Sequence, residues 1–219
     1  MSKRKRNIIM IIIVIMLAVS IFAMCYALES NDSAVFRVEC IMDNAMGYFV
    51  ATAIESVPKD SKHETTFITA KHCTEVFRED IKTINLIRRS NTMSITKRDI
   101  YGIKEAKDRD VGEFKVLLPV KVKIMKISDF LNYKEYDKVK MLTRLRSGEY
   151  LYYAKGEITA VDYREKKCLT NIFCRPGNSG SPVLNTRGHI VGIVSVQEYA
   201  GVISGVDPDW RPMGFAMVK

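Results

Sequence analysis

Apolar and polar positions alternate in short runs along most of this chain. The runs at 35–41, 47–53, 66–69 and 82–88, each ended by polar or glycine-bearing turns, have the period of two that marks half-buried strands. The pattern resumes at 110–116, 138–143, 150–161, 190–196 and 214–218. Few stretches have helical period, so the chain is predicted to be all-β and barrel-like. At 126–134, Ile127, Phe130 and Leu131 fall at helical spacing and predict a short helix on the connection between two halves. The polar segments 58–64 and 88–98 are predicted surface loops.

Residues 8–28 do not alternate. They form an apolar run interrupted only by Ser20, long enough for a helix that crosses a bilayer, which needs about 20 residues. The preceding Met1-Ser2-Lys3-Arg4-Lys5-Arg6 is strongly basic and should stay on the cytoplasmic side. The expectation is a cytoplasmic segment at 1–6, a single-pass transmembrane anchor or uncleaved signal at 7–28, and an extracytoplasmic body. Cys25-Tyr26-Ala27 offers a small-residue cleavage site, but the apolar part of a signal peptide usually runs only about 7 to 15 residues. Phe22-Ala23-Met24-Cys25 is a poorer lipoprotein site, because Met24 is bulky. The body is expected to divide into 29–125 and 126–219.

Composition narrows the function classes. A chain of 219 residues, 47% hydrophobic, can bury one large core or two small ones that share an interface. Of the net charge of +9, the N-terminal cluster supplies +4, and beyond it 30 basic residues face 25 acidic ones, interspersed in sign. That describes a solvated surface, so no nucleic-acid partner is expected. The three histidines, His63, His72 and His189, lack zinc-ligand spacing, and neither metal nor cofactor is expected. Of five cysteines, Cys25 lies in the apolar run. Cys40, Cys73, Cys168 and Cys174 allow three pairings; Cys40–Cys73 with Cys168–Cys174 is preferred, and four buried free thiols are the alternative.

Three motifs carry candidate chemistry. His72 stands in Thr69-Ala70-Lys71-His72-Cys73, Asp110 opens Asp110-Val111-Gly112-Glu113-Phe114-Lys115-Val116, and Ser179 lies in Gly177-Asn178-Ser179-Gly180-Ser181-Pro182. A serine between small residues can sit on a tight turn with its hydroxyl presented, a base can take its proton, and a carboxylate can orient that base.

The stretch from Arg175 to Asn185, with Arg187-Gly188-His189-Ile190-Val191-Gly192-Ile193 after it, is similar to the PGNSGGP segment and following strand of the HtrA-type branch of chymotrypsin-fold serine proteases. Tyr136-Asp137-Lys138-Val139, Gly156-Glu157-Ile158-Thr159-Ala160-Val161 and Gly214-Phe215-Ala216 resemble further strands of that branch, in the same order. The resemblance implies two six-stranded antiparallel β-barrels with the active site between them. It implies His72 as general base, Asp110 as its orienting carboxylate and Ser179 as nucleophile, with the Gly177 and Ser179 amides as oxyanion hole. Asp108 is the rival for Asp110, which is preferred because the small and apolar residues after it match the family strand. Substrate binding is implied for Phe173, Ser195, Val196, Gln197 and Gly214, with a polypeptide pairing along 195–197 as an added strand.

The departures from the family pattern are informative. Asn178 replaces the aspartate that trypsins pair with a freshly cut N-terminus, which implies no such activation step. Ser181 replaces a glycine, and Glu113 an apolar residue, as in a looser or exposed strand. Phe173, six residues before the nucleophile, implies a preference for small or medium apolar side chains over Lys or Arg. No PDZ domain is expected after the strand at 214–218. The function expected is a membrane-anchored trypsin-like serine endopeptidase acting on unfolded or flexible polypeptides outside the cytoplasm. The alternatives are a catalytically silent peptide- or partner-binding protein of the same fold, and hydrolysis of esters or other acyl groups.

Overall fold

The computed structural model describes residues 10, 12–17, 34–89, 91–129, 132–144, 151–195 and 211–218. Within them the chain forms β1 (Val35–Ile41), β2 (Met46–Lys59), β3 (Lys62–Thr69), a one-turn helix α1 (Lys71–Glu75) continued by a 3-10 turn (Val76–Arg78), and β4 (Thr83–Arg88). Then come β5 (Asn91–Ile95), a second 3-10 turn (Lys97–Asp99), β6 (Ile100–Glu105), β7 (Gly112–Leu118), β8 (Lys138–Arg144) and β9 (Leu151–Asp162). The chain closes with β10 (Lys167–Cys174), β11 (Pro182–Leu184), β12 (Ile190–Val194) and β13 (Arg211–Met217).

The expected all-β class is present, and the second half is a closed six-stranded barrel in the order β10-β13-β12-β11-β8-β9. The first half differs from expectation. It is an open seven-stranded sheet, β5-β4-β1-β2-β3-β7-β6. Its two free edges, β5 and β6, are consecutive in the chain. Between them Thr96 and Asp99 close a reciprocal capping box around the 3-10 turn, so the backbone turns there without forming a hairpin. Both edge strands are largely exposed or half-buried, and with little apolar surface to gain they are left as polar edges.

Three local expectations are corrected. The polar segments 58–64 and 88–98 are mostly strand: β2 and β3 stay paired as far as Lys59 and Lys62, and β5 pairs with β4 from Arg88–Asn91 to Ile84–Ile95. The helix at 126–134 is absent among the described residues. Ile127 instead forms a parallel bridge with Ile190, and Ser128 N–H and Lys126 C=O bond to the Ile190 backbone at 2.8 Å each. An extended segment laid on β12 satisfies more backbone there than one turn of helix would. Glu113 is not on an exposed edge either, since β7 lies between β3 and β6 and pairs Glu113 with Ile68 and Lys104.

Of two apolar clusters, one lies within the second barrel and the other spans both halves. Four aromatic contacts chain the rings Phe36–Phe67–Phe114–Phe77–Phe49 at centroid distances of 5.0 to 5.8 Å through the first sheet. The same apolar cluster continues into Leu142, Leu184, Ile190, Ile193, Ala216 and Val218 of the second barrel. β1 is therefore buried on both faces, against its own sheet and against β8, whose Arg144 donates from Nε to the Val35 carbonyl at 2.7 Å.

The N-terminal expectation falls largely outside the described residues. Of 7–28, only Met10 and residues 12–17 are described; they are helical and exposed. Among the described residues no helix is long and apolar enough to cross a membrane.

The preferred disulfides do not form: Cys40, Cys73, Cys168 and Cys174 are all buried free thiols. Cys168 and Cys174 lie six residues apart on β10, which separates their Cα atoms by roughly 20 Å, whereas a bridge needs less than about 7 Å. Burial, with a contribution from nearby Cys73, pushes the Cys40 thiol up to about 12, which suppresses the reactive thiolate. Burial likewise raises Cys168 to about 12 and Cys174 to about 11. Non-reducing denaturation with an alkylating reagent should modify all four cysteines in peptide maps of the purified chain. Recovery of a disulfide-linked peptide containing any of them would contradict this assignment.

Candidate active site

His72 is placed by a short helix that starts at the end of β3. α1 has no side-chain cap; it is held from outside by the ring of Phe77, one turn on, against Phe114 of β7 and Phe49 of β2. Thr74 adds polar ties, donating to the Lys71 carbonyl at 2.7 Å and to Glu105 at 2.9 Å. β7 starts just after Asp110, so one aromatic contact locks the histidine helix and the aspartate strand together.

Asp110 takes hold of His72 twice. Its Oδ1 accepts the His72 backbone N–H at 3.0 Å, and its Oδ2 lies 2.7 Å from Nδ1 of the ring. A third bond crosses between the halves: Ser195, just after β12, donates its hydroxyl to Asp110 Oδ2. Burial alone would raise the Asp110 carboxyl, but the hydrogen bonds from His72 and Ser195 outweigh it and hold it at about 2. In return the Asp110 bond, followed by a contact with the Cys73 side chain, raises His72 above its ordinary 6.5, against the opposing effect of burial. Asp108, the rival carboxylate, is half-exposed and paired with Lys166.

Ser179 lies on the loop between β10 and β11, and both halves grip that loop. The Ser179 carbonyl accepts from Val50 N–H of β2 at 2.9 Å, while Gly180 N–H donates to Val194 C=O of β12 at 2.9 Å. Thr69, at the end of β3, donates to the Val50 carbonyl at 2.7 Å. Gly180 has φ +83°, and a Cβ there would lie 1.9 Å from the Val50 oxygen and 2.2 Å from Thr69 Oγ1. Only glycine fits a backbone pressed this closely against another strand. Ser179 is thus carried to the segment from which His72 emerges, with 9% of its surface exposed.

The remaining loop residues are fixed in turn. Asn178 is buried; its Oδ1 accepts from Arg175 N–H and its Nδ2 donates to Thr143 Oγ1, each at 3.0 Å. Gly177 has φ +90°. Ser181 is fully buried, with its backbone bonded to Asn178 and Val194. Of the residues implied for substrate binding, Ser195 N–H donates to Gly214 C=O at 3.0 Å, which ties the end of β12 to the middle of β13. Phe173 is 36% exposed on β10, opposite Pro212. Val196 and Gln197 lie outside the described residues. No set of three or more His, Cys, Asp or Glu side chains among the described residues is grouped to hold a metal.

Sequence reasoning missed Val50, Thr69 and Thr143, which place the loop. None carries a motif signal, because each acts through a backbone group or a single hydroxyl.

The fold defined by these elements is shared with solved structures. Among solved structures the chain is similar to Deg5, with TM-score 0.60 and 13% identity over 77% of this chain and 82% of that one. It is also similar to the HtrA-type protease AlgW with tripeptide, with TM-score 0.57 and 15% identity over 87% of this chain. A substituted form of AlgW, also with tripeptide, gives 0.59 and 13% over 88%. This chain spans 58% of the length of AlgW. No family model matches, and no curated protein matches. At these identities the likeness shows the fold.

The grip on the loop is open to test by stability alone. Gly180→Ala adds a left-handed strain of about 1–2 kcal/mol to the collision with β2. Thermal melting should fall by about 5 °C or more; a melt within about 1 °C of the parent would show that the loop does not press on Val50.

Proposed function

We propose that this chain is a serine endopeptidase that cuts unfolded or flexible polypeptides by an acyl-enzyme mechanism, tethered to a membrane through residues 7–28 with its body outside the cytoplasm. The observation that carries the reading is the Asp110–His72 pair, braced by Ser195 from the second half, with the loop of Ser179 tied through Val50 to the end of the strand that leads to His72. A half-buried pair of this kind serves no need of the core, and it fixes the orientation of the imidazole.

With Asp110 accepting from Nδ1, Nε2 is the free ring nitrogen and acts as base. Ser179 Oγ attacks the substrate carbonyl as its proton passes to Nε2, and the negative charge that develops on the carbonyl oxygen is met by the Gly177 and Ser179 amides. The imidazolium, stabilised by Asp110, gives the proton to the leaving amine; the C–N bond breaks and an acyl-Ser179 ester remains. Water then repeats the sequence, delivering its proton through His72 and releasing the acid. An extended substrate would pair along 195–197, just past the end of β12, as an added strand, and the exposed ring of Phe173 favours an apolar side chain over a basic one. Asn178, satisfied by Arg175 and Thr143, needs no new N-terminus as partner.

A peptidyl phosphonate should label the chain, and Ser179→Ala should abolish both labelling and casein cleavage. Labelling that survives the substitution assigns the nucleophile elsewhere, and a parent chain inert to both probes points to the silent, peptide-binding alternative. In cells the full chain should sediment with membranes and resist carbonate extraction, and deletion of residues 1–28 should release it.

The pH profile follows from the sign of the His72 shift. The protonated ring cannot accept the Ser179 proton, so a raised value moves the acid limb of kcat/KM above the ordinary 6.5, and the rate should still climb from pH 7 to 9. Asp110→Asn should bring the limb down and lower kcat by about 10^4-fold. A limb at or below 6.5 in the parent would refute the coupling.

A further inference from the structure

The oxyanion loop has a free span. Its fixed points fall at Arg175, Asn178, Ser179, Gly180 and Ser181, and the Pro176–Gly177 peptide, which supplies one of the two amides proposed for the oxyanion, lies between them. A glycine at φ +90° adopts several neighbouring conformations at little cost. What touches Gly177 comes from the other half of the molecule. A Cβ on Gly177 would sit 2.0 Å from Cε2 of Tyr48, with Cδ2 and Cζ at 2.8 and 2.9 Å. The edge of the Tyr48 ring therefore occupies the space a side chain at 177 would need.

Tyr48 is itself held. The Arg37 guanidinium lies over the face of the ring, 4.2 Å from its centroid, and Arg37 bonds to the Glu39 carboxylate at 2.7 Å. Glu39 is the cross-strand partner of Tyr48, and Arg37 that of Val50; all four side chains share one face of the β1–β2 pair. The Arg37 side chain is almost wholly buried, in a place where a lone charge would be costly. Stacking on an aromatic face and pairing with a carboxylate are the two interactions that make such burial tolerable.

We infer that Tyr48 is a positioning residue for the reaction: braced by Arg37 and Glu39, it confines Gly177 to the conformation that aims its amide at the oxyanion. This rests on the protease reading of the same site. It adds a role for the first sheet beyond bearing His72 and Asp110, and it assigns a purpose to an arginine that the mechanism above leaves unused. Substrate need not touch the stack. A loosened Gly177 lowers the fraction of molecules with both amides aligned, and the deficit falls on the transition state.

The test uses the full chain, a fluorogenic peptide built on a casein cleavage site of the parent, and a peptidyl phosphonate. Tyr48→Ala should lower kcat and the labelling rate roughly 10- to 100-fold, short of the roughly 100- to 1000-fold of an outright lost donor. KM should stay within about twofold, as should the affinity of the same peptide, read by fluorescence anisotropy, for Tyr48→Ala made in the Ser179→Ala chain. Tyr48→Phe keeps the ring and should recover kcat to within about threefold of the parent. Glu39→Gln, which keeps an acceptor beside Arg37 and whose folding is checked by its melting temperature, should lower kcat in the same direction by about threefold or more, so the inference stays testable if Tyr48→Ala unfolds. Unchanged kcat in Tyr48→Ala, a KM that rises in proportion to the loss, or a Tyr48→Phe variant as impaired as Tyr48→Ala overturns it. A parent chain that the phosphonate does not label overturns the protease reading instead, and is recognised before any variant is made.

Discussion

The Val50 N–H to Ser179 carbonyl bond is the constraint on which the site depends. It joins a strand of the first sheet to a loop of the second barrel at 2.9 Å, and the neighbouring Gly180 closes the gap so tightly that a single methyl group would meet the Val50 oxygen. A serine on a surface turn has no fixed relation to a histidine more than a hundred residues earlier. Here the relation is short: Ser179 to Val50, Val50 to Thr69, and Thr69 to the helix that bears His72. These are backbone groups and one hydroxyl in a place largely shut off from water, where a broken bond costs the full desolvation of the group left behind.

The first sheet provides rigidity by another means. His72 sits on a helix of one turn with no capping side chain, too short to be stable alone, so its position has to come from packing. The five-ring phenylalanine chain supplies it, because Phe77 is pressed between Phe49 and Phe114. Aromatic edge contacts are directional as well as apolar, which suits a place where a small displacement of the imidazole would break its bond to Asp110. The sheet remains open between β5 and β6 on edges that carry neither His72 nor Asp110, and closure there is not needed to position either residue.

Much of this was legible before the fold was known. β1 was read residue for residue, and β8, β9 and β12 nearly so, because their alternation is clean and one or both faces are apolar. β10 was not, since its buried face reads Cys168, Thr170, Ile172, Cys174. Thr170 looks polar until its hydroxyl is seen bonded to the Met213 carbonyl. β5 and β6 were missed for the opposite reason: they bury little, and pairing alone leaves almost no pattern in side-chain types. At the site, His72, Asp110 and Ser179 could be proposed from order and motif; Asp110 bonds to His72, and Asp108 to Lys166. The groups that bring the three segments together could not, because Val50 acts through its amide and Thr69 through a hydroxyl common in any strand.

Asn178 shows how a local choice of residue fits this arrangement. A charged aspartate buried at that position would require a buried cation beside it, or the cost of ionising in the core would fall on the fold. The neutral amide both accepts and donates, and the structure uses both ends, on Arg175 N–H and Thr143 Oγ1. Thr143 belongs to β8, the strand whose next residue, Arg144, bonds to Val35 of the first sheet. The loop that bears Ser179 is therefore tied through one strand of its own barrel, and directly through Val50, to the same β1–β2 pair. Most of β1 and the middle of β2 are buried on both sides because they form the frame shared by the two halves. A free chain end is not needed to complete such a frame, because both ends of the Asn178 amide are already bonded.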